Sequence, residues 1–182
     1  MRLFIAVNLS SQLQQLIEEF VRANATDSYG VKWIDSRQAH FTLFFLGEQP
    51  PELVSRLSPL LRNVAARQAG FQLTLGGGGV FPSWKAPRVL WLGVEDGKSD
   101  LVALAQQVGT ACQQAGLPGP DRPFVPHLTL GRVKAPGARF KRELLEQGVH
   151  GTMPVVAFTL MESKLTPQGP LYREVELYRF GS

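Results

Sequence analysis

The chain has 182 residues, 44% hydrophobic and 19% charged, with a net charge of +4. That is the balance of a globular protein long enough to bury a real core, and no apolar run of about 18 residues is present to span a bilayer. A single cysteine, Cys112, rules out an internal disulfide and fits a reducing cytoplasm.

The apolar stretch Met1 to Leu9 lacks a small-residue cleavage site, so residues 2–8 read as a buried first strand. Ser10 or Ser11 can cap a helix whose Leu13, Leu16, Ile17, Phe20 and Val21 share one stripe. Val31 to Ile34 reads as a short strand, and residues 35–38 connect it to a strand beginning at His40. Gly47 and Pro50-Pro51 end that strand. Pro51 suits the first turn of a helix that carries Leu53, Leu57, Leu60, Leu61 and Val64 inward and stops at Gly70.

Phe71 to Leu75 alternates as a strand and runs into Gly76-Gly77-Gly78-Gly79. The Gly-Lys-Ser/Thr ending of a phosphate loop is missing, which leaves a flexible edge, a bulge or a turn. Residues 88–94 form the clearest buried strand. Leu101, Leu104, Ala105, Val108, Ala111 and Cys112 then make a helical stripe ended by Gly116, with Cys112 a packed core thiol. A proline-rich lead-in, 117–126, delivers a strand at His127. A short helix over 139–146 and strands over 155–163 and 171–180, joined by Pro167-Gln168-Gly169-Pro170, complete the chain. The alternation of strands and helices predicts one α+β domain over 1–182. Two similar lobes with a cleft between them are expected.

Two stretches share a pattern: His40-Phe41-Thr42-Leu43-Phe44-Phe45-Leu46 and His127-Leu128-Thr129-Leu130-Gly131-Arg132. On a strand, alternate side chains share a face, so His40 joins Thr42 and His127 joins Thr129, with apolar rows opposite. Two such strands facing each other put two imidazoles on either side of a small anionic group, an arrangement suited to acid–base cleavage of a phosphodiester. The third histidine, His150, also has threonine two places on, but Gly148, Gly151 and Pro154 mark it as a loop residue. The bland reading of His40 and His127, two satisfied strand histidines, loses weight because the pattern occurs twice. Metal-ligand spacings and a Gly-x-Ser-x-Gly elbow are both missing. Basic residues thicken after the second motif at Arg132, Lys134, Arg139, Lys141 and Arg142, as a solvated face or a phosphate-backbone track.

The doubled motif resembles the signature of the two-histidine phosphoesterase superfamily. Within it, the whole chain is similar to bacterial RNA 2′,3′-cyclic phosphodiesterases, the LigT or ThpR family, also described as 2′-5′ RNA ligases. The likeness includes Arg2 to Val7, Phe45-Leu46-Gly47-Glu48, Val89 to Gly93 and Arg122 to Leu130. It implies two pseudo-symmetric lobes with antiparallel-rich sheets facing a central cleft and helices outside, no metal or other cofactor, and hydrolysis of an RNA 2′,3′-cyclic phosphate to a 2′-phosphate. Following that family's assignment, His127 is the general base and His40 the general acid, exchanging roles in a reverse ligation. Thr42 and Thr129 would hydrogen-bond the non-bridging oxygens. Arg132 is a phosphate contact by likeness, although strict alternation turns it away from His127. Trp33, Phe44, Trp84 and Tyr172 could stack on a base, and Phe44 is favoured because it continues the His40 face. The expected partner is an RNA end, with the protein acting as a cytoplasmic monomer and not at a membrane. A small cyclic nucleotide, an ADP-ribose cyclic phosphate, and non-catalytic RNA binding are the alternatives.

Overall fold

The computed structural model describes residues 1–181. In chain order it contains β1 (Arg2–Asn8), α1 (Ser11–Ala25), β2 (Val31–Trp33), a 3-10 turn (Ser36–Gln38), β3 (His40–Glu48), α2 (Glu52–Arg67), β4 (Phe71–Phe81) and β5 (Val89–Val94). Then follow α3 (Lys98–Gln114), β6 (Leu128–Val133), α4 (Arg142–Gln147), β7 (Thr152–Val155), β8 (Ala157–Thr166) and β9 (Gly169–Arg179). The strands make two sheets, ordered β3-β1-β8-β9 and β2-β6-β5-β4-β7. Every pairing is antiparallel, so the α+β class with two antiparallel sheets is as expected. Among the described residues no helix is long and apolar enough to cross a membrane.

The halves echo each other. β1, α1 and β3 form strand, helix and His-x-Thr strand, and β5, α3 and β6 repeat that order. The next long strand of each half then changes sides: β4 pairs with β5 of the second sheet, and β8 pairs with β1 of the first. β2 crosses as well, to the free edge of β6. One continuous apolar cluster joins the stripes of α1, α2 and α3 to the inner faces of both sheets, and it includes Leu13, Ile17, Leu57, Leu61, Leu104 and Val108. Cys112 is buried within it, and burial pushes its thiol up to about 12, which makes it a packing group and not a nucleophile.

Three details correct or narrow the sequence expectation. α2 ends at Arg67, three residues before Gly70, because Gln68 turns to an extended backbone. Of the three readings open for the four glycines the bulge fits, since they lie inside β4 with a register irregularity between Leu75 and Gly78. A Cβ at Gly78 would run into the carbonyl oxygens of Trp91 and Leu145, and one at Gly79 into the Trp91 ring. The glycines thus let α4 and a tryptophan lie flat against the strand. Lastly, residues 152–155 form a separate strand, β7, paired with β4, and the last hairpin turns more tightly than expected, through Pro167-Gln168.

Candidate active site

The two motif strands line one cleft of about 790 Å³, whose wall includes His40, Thr42, His127, Thr129 and Arg132. The 3-10 turn places His40. Asp35 caps that turn by accepting from Arg37 N–H at 2.9 Å, and the Gln38 carbonyl at its end accepts from His40 Nδ1 at 2.8 Å. The proline-rich lead-in does the same for His127, whose Nδ1 donates to the Val125 carbonyl at 2.7 Å. A carbonyl can only accept, so both Nδ1 atoms carry a proton. The neutral form of each ring therefore has its lone pair on Nε2, and His40 Nε2 lies 3.0 Å from Thr42 Oγ1.

Aromatic rings hold both imidazoles. Phe4 lies 4.9 Å from His40, Tyr172 meets it edge-on at 5.2 Å, and Phe81 meets His127 edge-on at 5.1 Å. Burial among these groups pushes His40 below the usual histidine range, with the charge of His127 adding to the shift and the Gln38 carbonyl opposing it. Burial raises Tyr172, while Arg132 and Arg2 pull it down. Groups from both sheets therefore feel each other across the cleft.

The same irregularity occurs in both motif strands and decides what reaches the cleft. In the β1–β3 ladder, Ala6 faces Thr42 and Ile5 faces Phe44, so Leu43 has no partner. In the β5–β6 ladder, Trp91 faces Thr129 and Leu90 faces Gly131, so Leu130 has none. Each extra residue is a β-bulge that shifts the alternation by one place. Arg132, which strict alternation turns outward, lines the cleft together with Lys134. Phe44, favoured as the base-stacking aromatic, turns instead towards α3, where its ring sits 3.7 Å from the position of a Cβ on Gly109. Phe45 takes its place on the cleft wall, 54% exposed, with the Arg2 guanidinium 5.1 Å from its ring centre.

Of the other aromatics, Trp33 and Tyr172 line the cleft. Trp84 does not; Arg142 covers its ring at 4.1 Å. His150 stands apart, exposed and 3.7 Å from Glu95. Sequence reasoning missed Phe45, Arg2 and Lys32, and only bulge-corrected counting reveals the first. If Phe45 stacks on a base, Phe45→Ala should raise KM by about 5- to 100-fold, the value of one base–aromatic stack of roughly 1–3 kcal/mol. Phe44→Ala should instead lower the melting temperature with KM held. Equal KM effects from the two would remove Phe45 from the binding wall.

Two imidazoles, two hydroxyls and a guanidinium share the lining of one concave surface, a set of groups chemically able to exchange protons and to donate hydrogen bonds to an anion. The chain belongs to the 2′-5′ RNA ligase superfamily, whose model matches residues 9–166. Its relatives include an RNA 2′,3′-cyclic phosphodiesterase of Methanothermobacter thermautotrophicus, 34% identical over 98% of both chains. Another, from Thermus thermophilus, is 34% identical over 98% of this chain and 89% of that protein. Among solved structures, TT0787 of Thermus thermophilus superimposes with a TM-score of 0.86 at 33% identity, covering 100% of this chain and 98% of that one. E. coli LigT complexed with 3′-AMP gives 0.82 at 27% identity with the same coverage.

Proposed function

We propose that the protein hydrolyses RNA 2′,3′-cyclic phosphate ends to 2′-phosphates by acid–base catalysis from two histidines, without a metal. The observation that carries this reading is the matched pair of imidazoles, each with Nδ1 tied to a carbonyl and Nε2 left for chemistry. His127 acts as general base on the attacking water, and His40 protonates the departing ribose oxygen. In the free cleft the Thr42 hydroxyl is taken up by neutral His40. Once His40 carries a proton, its Nε2–H turns from Thr42 to the departing ribose oxygen, and the released Thr42 hydroxyl donates to a phosphate oxygen. Thr129 and Arg132 complete the set of donors around the developing charge. With a 5′-hydroxyl attacking in place of water, the same two groups in the same roles form a 2′-5′ linkage, and they exchange roles only when that linkage is cleaved back to the cyclic phosphate. The single domain and its monomeric action belong to the same reading.

The test is incubation of a short RNA ending in a 2′,3′-cyclic phosphate with EDTA present and the product phosphate located. Conversion to a 2′-phosphate is expected; a folded protein that leaves the end intact would sink the proposal.

The pH dependence carries a sign. The general acid must be protonated, and burial holds His40 low in the free protein. The alkaline limb of kcat/KM should therefore fall below the ordinary histidine value of about 6.5. An anionic phosphate beside His40 favours its charged form, so the alkaline limb of kcat should lie at higher pH than that of kcat/KM. Both limbs are properties of the coupled pair. Coincident alkaline limbs would show that substrate charge does not reach His40.

A further inference from the structure

Lys32, Arg132 and Lys134 gather on one wall of the cleft. Lys32 is the direct cross-strand partner of Arg132 in the β2–β6 ladder, and Lys134 follows on the same face, its N–H bonded to the Gly30 carbonyl. Like charges directly opposite on a sheet repel. Yet among the described residues none of the three has a carboxylate within salt-bridge reach. The acid in this wall, Asp35, is already taken by Arg37 at 2.6 Å. Lys32 Nζ donates instead to the Gln168 carbonyl at 3.3 Å, at the tip of the β8–β9 hairpin. That bond is a long one for a lysine and spans from one sheet to the other. Arg132 beside the two histidines and threonines is enough for one phosphate. The two lysines are surplus to it.

We infer that Lys32 and Lys134 form a second anion subsite, which holds the phosphodiester one nucleotide 5′ of the reacting cyclic phosphate. The inference rests on the phosphodiesterase reading and narrows it: the substrate is the end of an RNA strand, not a free mononucleotide. A phosphate oxygen is a stronger acceptor for an ammonium than a neutral carbonyl. Strand binding therefore takes Lys32 from Gln168 and exchanges the link between the sheets for a link to the substrate.

Three substrates test this: a nucleoside 2′,3′-cyclic phosphate, a dinucleotide with the same end, and that dinucleotide with a neutral methylphosphonate linkage. Wild type should prefer the natural dinucleotide over both others by about tenfold or more in kcat/KM, the worth of one charge-assisted contact. Its log–log salt dependence should be steeper than the mononucleotide's by about 0.7, the single-strand value for one phosphate neutralised. In Lys32→Gln/Lys134→Gln the preference ratio should fall close to one. Equal efficiency on charged and neutral linkages in wild type would overturn the subsite and leave the phosphodiesterase reading standing. A preference that survives in the double variant would overturn the assignment to these lysines. No turnover of any of the three by folded wild type overturns the phosphodiesterase reading, and this inference with it.

Discussion

Replacing His40 or His127 by alanine should lower turnover of an RNA cyclic phosphate about 10²- to 10⁴-fold for each residue, the usual worth of a positioned acid or base. The two losses should not add in the double variant, because one transition state needs both proton transfers at once. Neither change should unfold the protein. Both rings are only half-buried at the cleft wall, and the core strands behind them keep Phe41 and Leu128 fully buried. Circular dichroism and thermal melting on each variant, beside single-turnover rates, separate lost chemistry from lost fold. A His40→Ala or His127→Ala enzyme that keeps a tenth of wild-type turnover would remove that residue from proton transfer.

A large loss of stability is expected from a change that adds one carbon atom to a residue outside the cleft lining. In Gly78→Ala the new Cβ would meet the carbonyl oxygens of Trp91 and Leu145, backbone atoms that cannot rotate away. Overpacking of this kind costs about 1–3 kcal/mol, and the cost belongs at the upper end because no flexible side chain can yield. A protein of this size loses about 2–4 °C in Tm per kcal/mol, so a drop of roughly 5–12 °C is expected. Gly137→Ala is the control, since nothing lies within 4 Å of a Cβ there, although its positive φ adds some strain. Equal melting temperatures for Gly78→Ala and wild type would mean that β4 can shift away from α4, and that the glycines have another purpose.

The motif strands were legible in the sequence because alternation of polar and apolar residues is a local property of the chain. His40 with Thr42, and His127 with Thr129, line the same cleft for that reason. The places where the reading slipped share a cause. A bulge arises from pairing with a partner strand, and Leu43 and Leu130 look like any other apolar strand residues until β1 and β5 are set beside them. Counting by twos across Leu43 selects Phe44, whereas the ladder delivers Phe45. The same miscount turns Arg132 away when the bulge brings it in. The glycine run posed a second problem of this kind: its cause is the backbone of Trp91 and Leu145 pressing on it, and those residues are remote in sequence. The exchange of β4 and β8 between sheets has no local signature at all.

That exchange has a consequence for the protein as it leaves the ribosome. β1 ends up between β3 and β8, so when the first half of the chain has emerged its sheet is only a pair of strands with one side bare. β4 meanwhile has no neighbour until β5 is made. The first sheet closes only when residues 157–179 arrive, and they bring Tyr172, which meets the ring of His40 edge-on. Long-range pairings of this kind fold late, because the loop entropy must be spent before the contact is gained. A chain stopped before residue 157 therefore carries both histidines but lacks the strands that bring Tyr172 and the hairpin to the cleft. The cleft is walled in full only after residues 157–179 have been made.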